Sequence, residues 1–149
     1  MILDLPLHPL IVHAVVILVP LSAVLVLLAV LVPPLRRSCA PVGAVLAVVG
    51  AISALVAERS GRALAETVGV PADHEPWGTP TLIASAVFAV LAVVWHLVQR
   101  RAGRRRRGSP AVRVLGALTV LAALAAVGLT LISGHTGAEA VWGSIRNML

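Results

Sequence analysis

The sequence contains no lysine and no tyrosine, and only one cysteine and one phenylalanine. Charged residues make up 12% of its 149 positions, about half the share of a soluble globular domain, which is roughly 25%. Hydrophobic residues make up 59%, and the mean hydropathy is +1.00. One soluble core in a chain of this length cannot hide that much apolar surface, so a soluble fold is excluded and a bilayer must cover the excess. Cys39 has no second thiol to pair with, which excludes an intramolecular disulfide. No glycine-rich phosphate loop, no HExxH helix and no activated-serine arrangement is present, which argues against the corresponding enzymes. An enzymatic role is therefore left open but not favoured.

Four apolar stretches remain once the polar segments are set aside. They run from Pro9 to Val32, Val42 to Ala57, Pro80 to Val98 and Val112 to Ser133. Each is long enough, or nearly so, to cross a hydrocarbon core of about 30 Å at 1.5 Å per residue. Pro20 lies inside the first and should kink it, and Pro33-Pro34 should end it. The second is rich in small residues, with Gly43, Ala47, Gly50, Ala51 and Ala54 at spacings that let helices approach closely in lipid. It should continue as helix beyond the membrane to Thr67. After the fourth, Ala138, Val141, Trp142 and Ile145 share one helical face and suggest a short interfacial helix. The expected fold is an all-α integral membrane domain over residues 1–149, an antiparallel up-down four-helix bundle with a short amphipathic C-terminal helix. The N-terminus lacks the basic flank of a cleavable signal, and its apolar run is too long for one.

The charges orient this bundle. The connections at 33–41 and 99–111, with Arg113 just inside the next span, hold nine arginines and no acid. The opposite side, including the connection at 58–79, holds Arg59, Arg62, Arg146 and all six acids, Asp4, Glu58, Glu66, Asp73, Glu75 and Glu139. The positive-inside rule places the nine arginines in the cytoplasm and both termini outside, in a bacterial cytoplasmic membrane. The Arg100–Arg107 run then reads as a topology signal and a contact for anionic lipid. With no aromatics interleaved, it is not a nucleic-acid surface.

The histidines are unevenly placed. His8, His13, His74 and His135 fall on the outer side, beside Glu58, Glu75 and Glu139, while His96 alone falls near the inner face. Ionisable residues at membrane depth are functional candidates. His13 lies about a turn inside the boundary. His135 sits between glycines in Ser133-Gly134-His135-Thr136-Gly137. His8 precedes Pro9 and reads equally as a helix-start residue, and His74 lies in the polar Asp73-His74-Glu75. Trp77 and Trp142 read as outer-belt residues, Trp95 and His96 as inner-belt ones. The span centres carry no carboxylate, arginine, asparagine or glutamine, so a channel or proton-coupled transporter has little to work with.

The stretch Leu5-Pro6-Leu7-His8-Pro9-Leu10-Ile11-Val12-His13 resembles the opening of a bacterial membrane family designated domain of unknown function 2231. Its members begin with His-Pro, then Val-His, running into a first span. The likeness extends to Ala57-Glu58-Arg59-Ser60-Gly61, His74-Glu75 and Ser133-Gly134-His135-Thr136-Gly137-Ala138. The resemblance implies a four-span bundle with a histidine-rich outer end. Relatives fused to c-type cytochrome modules would tilt the role towards redox. The family has no agreed activity, so it assigns no catalytic residue. Ala14 stands where many members carry an aromatic.

Three functions are compatible with these residues. The first is a haem b protein moving electrons at the outer face, with His13 and His135 as axial ligands, His74 or His8 as substitutes, and Arg59 and Arg62 pairing with propionates. The second is a zinc or copper site held by His13, His74, His135 and Glu58. The third binds no cofactor and is an accessory subunit of a larger membrane complex. Expected partners are the lipid bilayer, other membrane or redox subunits, and further copies of the chain in a homo-oligomer.

Overall fold

A computed structural model of the chain describes residues 7–68, 74–101 and 109–146. Asp4, Asp73 and Arg104 to Arg107 lie outside the described residues, as do the side chains of Val141 and Ile145. The described residues form four helices, α1 (Leu7–Leu31), α2 (Arg36–Val68), α3 (Glu75–Arg101) and α4 (Pro110–Arg146). All four are long and apolar enough to cross a membrane.

Each helix buries residues at alternating spacings of three and four, the repeat that keeps one seam facing its neighbours. On α1 the seam is His8, Val12, Val15, Val19, Ser22, Val26 and Ala29. On α2 it consists only of small residues, Ala40, Gly43, Ala47, Gly50, Ala54, Ala57 and Gly61. On α3 it runs Thr81, Ser85, Phe88, Ala92, Trp95 and Gln99. On α4 it runs Gly116, Thr119, Ala123, Ala126, Thr130, Ser133 and Gly137. Large apolar side chains such as Ile17, Val45, Val90 and Leu121 face outward. That is the arrangement expected where lipid covers the outside and small residues let the backbones meet.

The pairings are antiparallel. A Cβ at Gly43 would lie 3.0 Å from Val26, one at Gly50 3.1 Å from Val19, and one at Gly61 2.9 Å from His8. Each step along α2 is thus matched by a step back along α1. Between α3 and α4, Thr81 Oγ1 donates to the Leu129 carbonyl at 3.2 Å, and Thr119 Oγ1 donates to the Leu91 carbonyl at 3.4 Å. Helix α1 packs on α2 and α4, and α3 packs on α2 and α4.

The expected elements differ from the observed ones in three places. The connection at 33–41 is mostly helix. Pro33–Leu35 form one 3-10 turn and α2 resumes at Arg36, because prolines cost nothing at helix starts. Arg36 secures this turn, with Nε donating to the Ala29 carbonyl at 2.9 Å and Nη2 to the Val30 carbonyl at 3.1 Å. The C-terminal tail is not a separate helix, since α4 runs unbroken through Ser133-Gly134 to Arg146. Trp95 is not a belt residue. It is 2% exposed, packed with Ala29 and Ala40, because Gly116 leaves room for its indole and the Arg36 guanidinium lies 5.7 Å from its ring centroid. Helix α1 passes through Pro20 without a break.

Candidate functional site

The seams of α1 and α2 and the segment entering α3 meet at the end of the bundle opposite Trp95. His8 sits in the first turn of α1, on its inward seam. Its Nδ1 lies 2.8 Å from the Ala57 carbonyl oxygen. A carbonyl only accepts, so Nδ1 carries the proton and Nε2 keeps the lone pair. Gly61 leaves room for the ring, since a Cβ there would lie 2.9 Å from Cε1.

His74 comes from just before α3 and is held in a parallel way. Its Nδ1 lies 3.2 Å from Thr136 Oγ1. That hydroxyl donates onward to the Ile132 and Ser133 carbonyls at 3.1 and 3.2 Å, which leaves its oxygen to accept from Nδ1–H. With Nδ1–H donating to that hydroxyl, the neutral ring keeps its lone pair on Nε2. Gly137 makes the space here, with a Cβ placed 3.2 Å from the His74 Cε1. Burial pushes the His74 pKa below its ordinary value, and the neighbouring His8 adds to this. A hydrogen bond to the Ser133 backbone opposes the shift. His74 is thus held in the neutral form, the form that binds metals.

The two imidazoles approach each other, with ring centroids 6.1 Å apart and planes inclined at 62°. Glu58 completes the wall. Its side chain is 11% exposed and paired with Arg62, and Thr79 Oγ1 donates to Oε1 at 3.5 Å. Below the rings lies a cavity of about 50 Å³ lined by Val12, Val15, Ala54 and Thr130. Thr130 Oγ1 is buried there with no hydrogen-bond partner.

The other expected site residues are not in this cluster. His13 is exposed, and its Nδ1 donates to the Pro9 carbonyl of its own helix at 2.6 Å. The His135 side chain is 73% exposed and lies 3.6 Å from Glu139. Helices α1 and α4 do pack together, but these two rings stand off the seams and do not face each other. His8 and His13 are five positions apart, about 140° of helix rotation, so only one of them can lie on the seam. Arg59 is exposed, and Arg62 is engaged by Glu58. His96 lies near the arginine-rich end. Among the described residues no group of three or more His, Cys, Asp or Glu side chains is arranged to hold a metal ion, so His13, His74, His135 and Glu58 are not assembled as a four-ligand set.

The space beside this pair is small for a macrocycle. A cavity of about 50 Å³ holds a few waters at most, whereas cofactor pockets occupy roughly 300–1,000 Å³. The expected axial pair, His13 and His135, also faces outward.

Four long apolar helices with lipid-facing large side chains and small-residue seams define a polytopic helical membrane protein. The sequence matches the family described as "Predicted membrane protein (DUF2231)" over residues 4–145, and the chain belongs to that family. No curated protein and no solved structure gives a significant match.

Proposed function

We propose that this protein holds one transition-metal ion between His8 Nε2 and His74 Nε2, as a non-enzymatic metal-binding protein of the membrane. The observation that carries this reading is that both rings are anchored through Nδ1, which turns Nε2 into the atom left for a ligand. Each ring donates its Nδ1–H to a fixed acceptor, the Ala57 carbonyl or the Thr136 hydroxyl. Such outer partners fix the orientation of metal-binding histidines. The rings come from different segments, the first turn of α1 and the residue before α3, and lie edge-on to each other with centroids 6.1 Å apart. The depressed basicity of His74 supports the neutral state that ligation needs. The charge distribution supports placing this end, with both termini, on the outer face of a bacterial cytoplasmic membrane.

The test is metal content per chain after loading with copper or zinc and removing the excess. One ion per chain is expected in the wild type, lost in His8→Ala and His74→Ala but kept in His13→Ala and His135→Ala. The reverse pattern would return the site to the exposed histidines. Full retention in all four variants would end the proposal.

A further inference from the structure

Resting on that reading, we propose that the His8–His74 pair selects a monovalent d¹⁰ cation, Cu(I) or its analogue Ag(I), over a divalent ion such as Zn(II).

The first ground is geometry. A metal–nitrogen bond of about 2.0 Å puts the ion about 3.1 Å from the imidazole centroid. Two imidazoles on a tetrahedral ion then have centroids about 5 Å apart, and on a linear two-coordinate ion about 6 Å apart. The observed centroid separation is 6.1 Å, the spacing of the linear case when both Nε2 atoms turn to the ion. The clamps on each ring resist the closer approach. His8 is fixed to the α2 backbone through the Ala57 carbonyl, and His74 to α4 through Thr136.

The second ground is ligand count. Zinc sites use three or four protein ligands, and no third His, Cys, Asp or Glu joins this pair among the described residues. Glu58, which lines the same cavity, has its Oε1 occupied by Arg62 and Thr79. Linear coordination by two nitrogens is a habit of monovalent copper and silver, not of zinc.

The third ground is charge. An imidazole ligates through an uncharged nitrogen, and Glu58 is balanced by Arg62, so the pair offers an ion no net negative charge. The walls below are Val12, Val15 and Ala54. Ion desolvation scales with the square of the charge, so a monovalent ion meets about a quarter of the penalty of a divalent one.

The test uses the full chain in lipid nanodiscs, in a Cys39→Ser background that removes the one competing thiol, in chloride-free buffer. Ag(I) and Zn(II) are titrated separately by calorimetry. One Ag(I) per chain is expected, with Zn(II) at least 100-fold weaker. His8→Ala and His74→Ala should each weaken Ag(I) at least 100-fold, while His13→Ala leaves it unchanged. Zinc binding as tightly as silver, and lost in the same two variants, would overturn the selectivity while leaving the metal site standing. If neither ion binds one to one, or neither variant matters, both readings fall. X-ray absorption of the Cu(I)-loaded chain gives a second measurement that needs no variant. Two nitrogen scatterers are expected, and a shell of three or four light atoms would overturn the proposal.

Discussion

Replacing Gly61 with alanine separates the stability of the bundle from the integrity of its histidine pair. The new Cβ would lie 2.9 Å from His8 Cε1 and 3.0 Å from Nδ1. Ordinary carbon contacts lie at about 3.5–4.0 Å, so the ring must retreat by more than half an ångström. That movement breaks the 2.8 Å bond from Nδ1 to the Ala57 carbonyl, at about 0.5–1.5 kcal/mol. The helix gains about 0.5–1 kcal/mol from losing a glycine. The two effects nearly cancel, so the unfolding free energy should change by less than about 1 kcal/mol. Gly128→Ala is the matched control. Nothing lies within 4 Å of its Cβ position, so only the gain of about 0.5–1 kcal/mol should appear. The assay is SDS or thermal unfolding of the three proteins, with ¹⁵N NMR of the His8 ring to read its tautomer. Gly61→Ala should release His8 from the fixed Nδ1–H form at nearly unchanged stability. A His8 signal unchanged in that variant would refute the assignment of Gly61 as its seat.

Other perturbations test the packing and the electrostatics. Gly43→Ala puts a Cβ 3.0 Å from Val26 Cγ2 and 3.2 Å from the Val26 backbone nitrogen; backbone cannot yield, so a loss of about 1–3 kcal/mol is expected by SDS unfolding. Arg36→Ala frees the Ala29 and Val30 carbonyls and uncovers Trp95, which should cost about 1–3 kcal/mol and shift Trp95 fluorescence in a background with Trp77 and Trp142 changed to Phe. For His74, the folded chain resists the proton that the unfolded chain takes up below pH ~6.5. The stability due to neutral His74 is therefore present above that pH and lost as pH falls towards its lower folded value. The unfolding midpoint should drop between pH 7.5 and 5, and drop less in His74→Gln.

The spans were legible because hydropathy and length alone decide them. The family was legible from the His-Pro and Val-His opening. The meeting of the first and third segments at this end was legible too, since counting residues from the span ends sets His8 and His74 at the same end of the bundle. Azimuth was not. Helix α1 is apolar on every side, so no polar stripe marks which of His8 and His13 faces inward. The signal that would have separated them is size. His8 continues a line through Val12, Val15, Val19, Ser22 and Ala29, whereas Leu10, Ile17, Leu21 and Leu31 lie on the exposed side. In lipid, small and weakly polar residues face the neighbours and bulky ones face the chains. Trp95 departs from that rule and lies inside, because its seam partner Gly116 vacates the space. His135 follows the opposite logic. Ser133 and Gly137 occupy the α4 seam, and His135 between them points away.

The central claim is that His8 and His74 act as a pair while His13 and His135 do not. The most direct measurement is ¹⁵N NMR of the wild-type chain labelled at histidine, followed through a titration with Ag(I). At one equivalent the Nε2 resonances of His8 and His74 are expected to shift together, with those of His13 and His135 unmoved. A shift confined to the exposed histidines, or no shift of the pair at one equivalent, would contradict it.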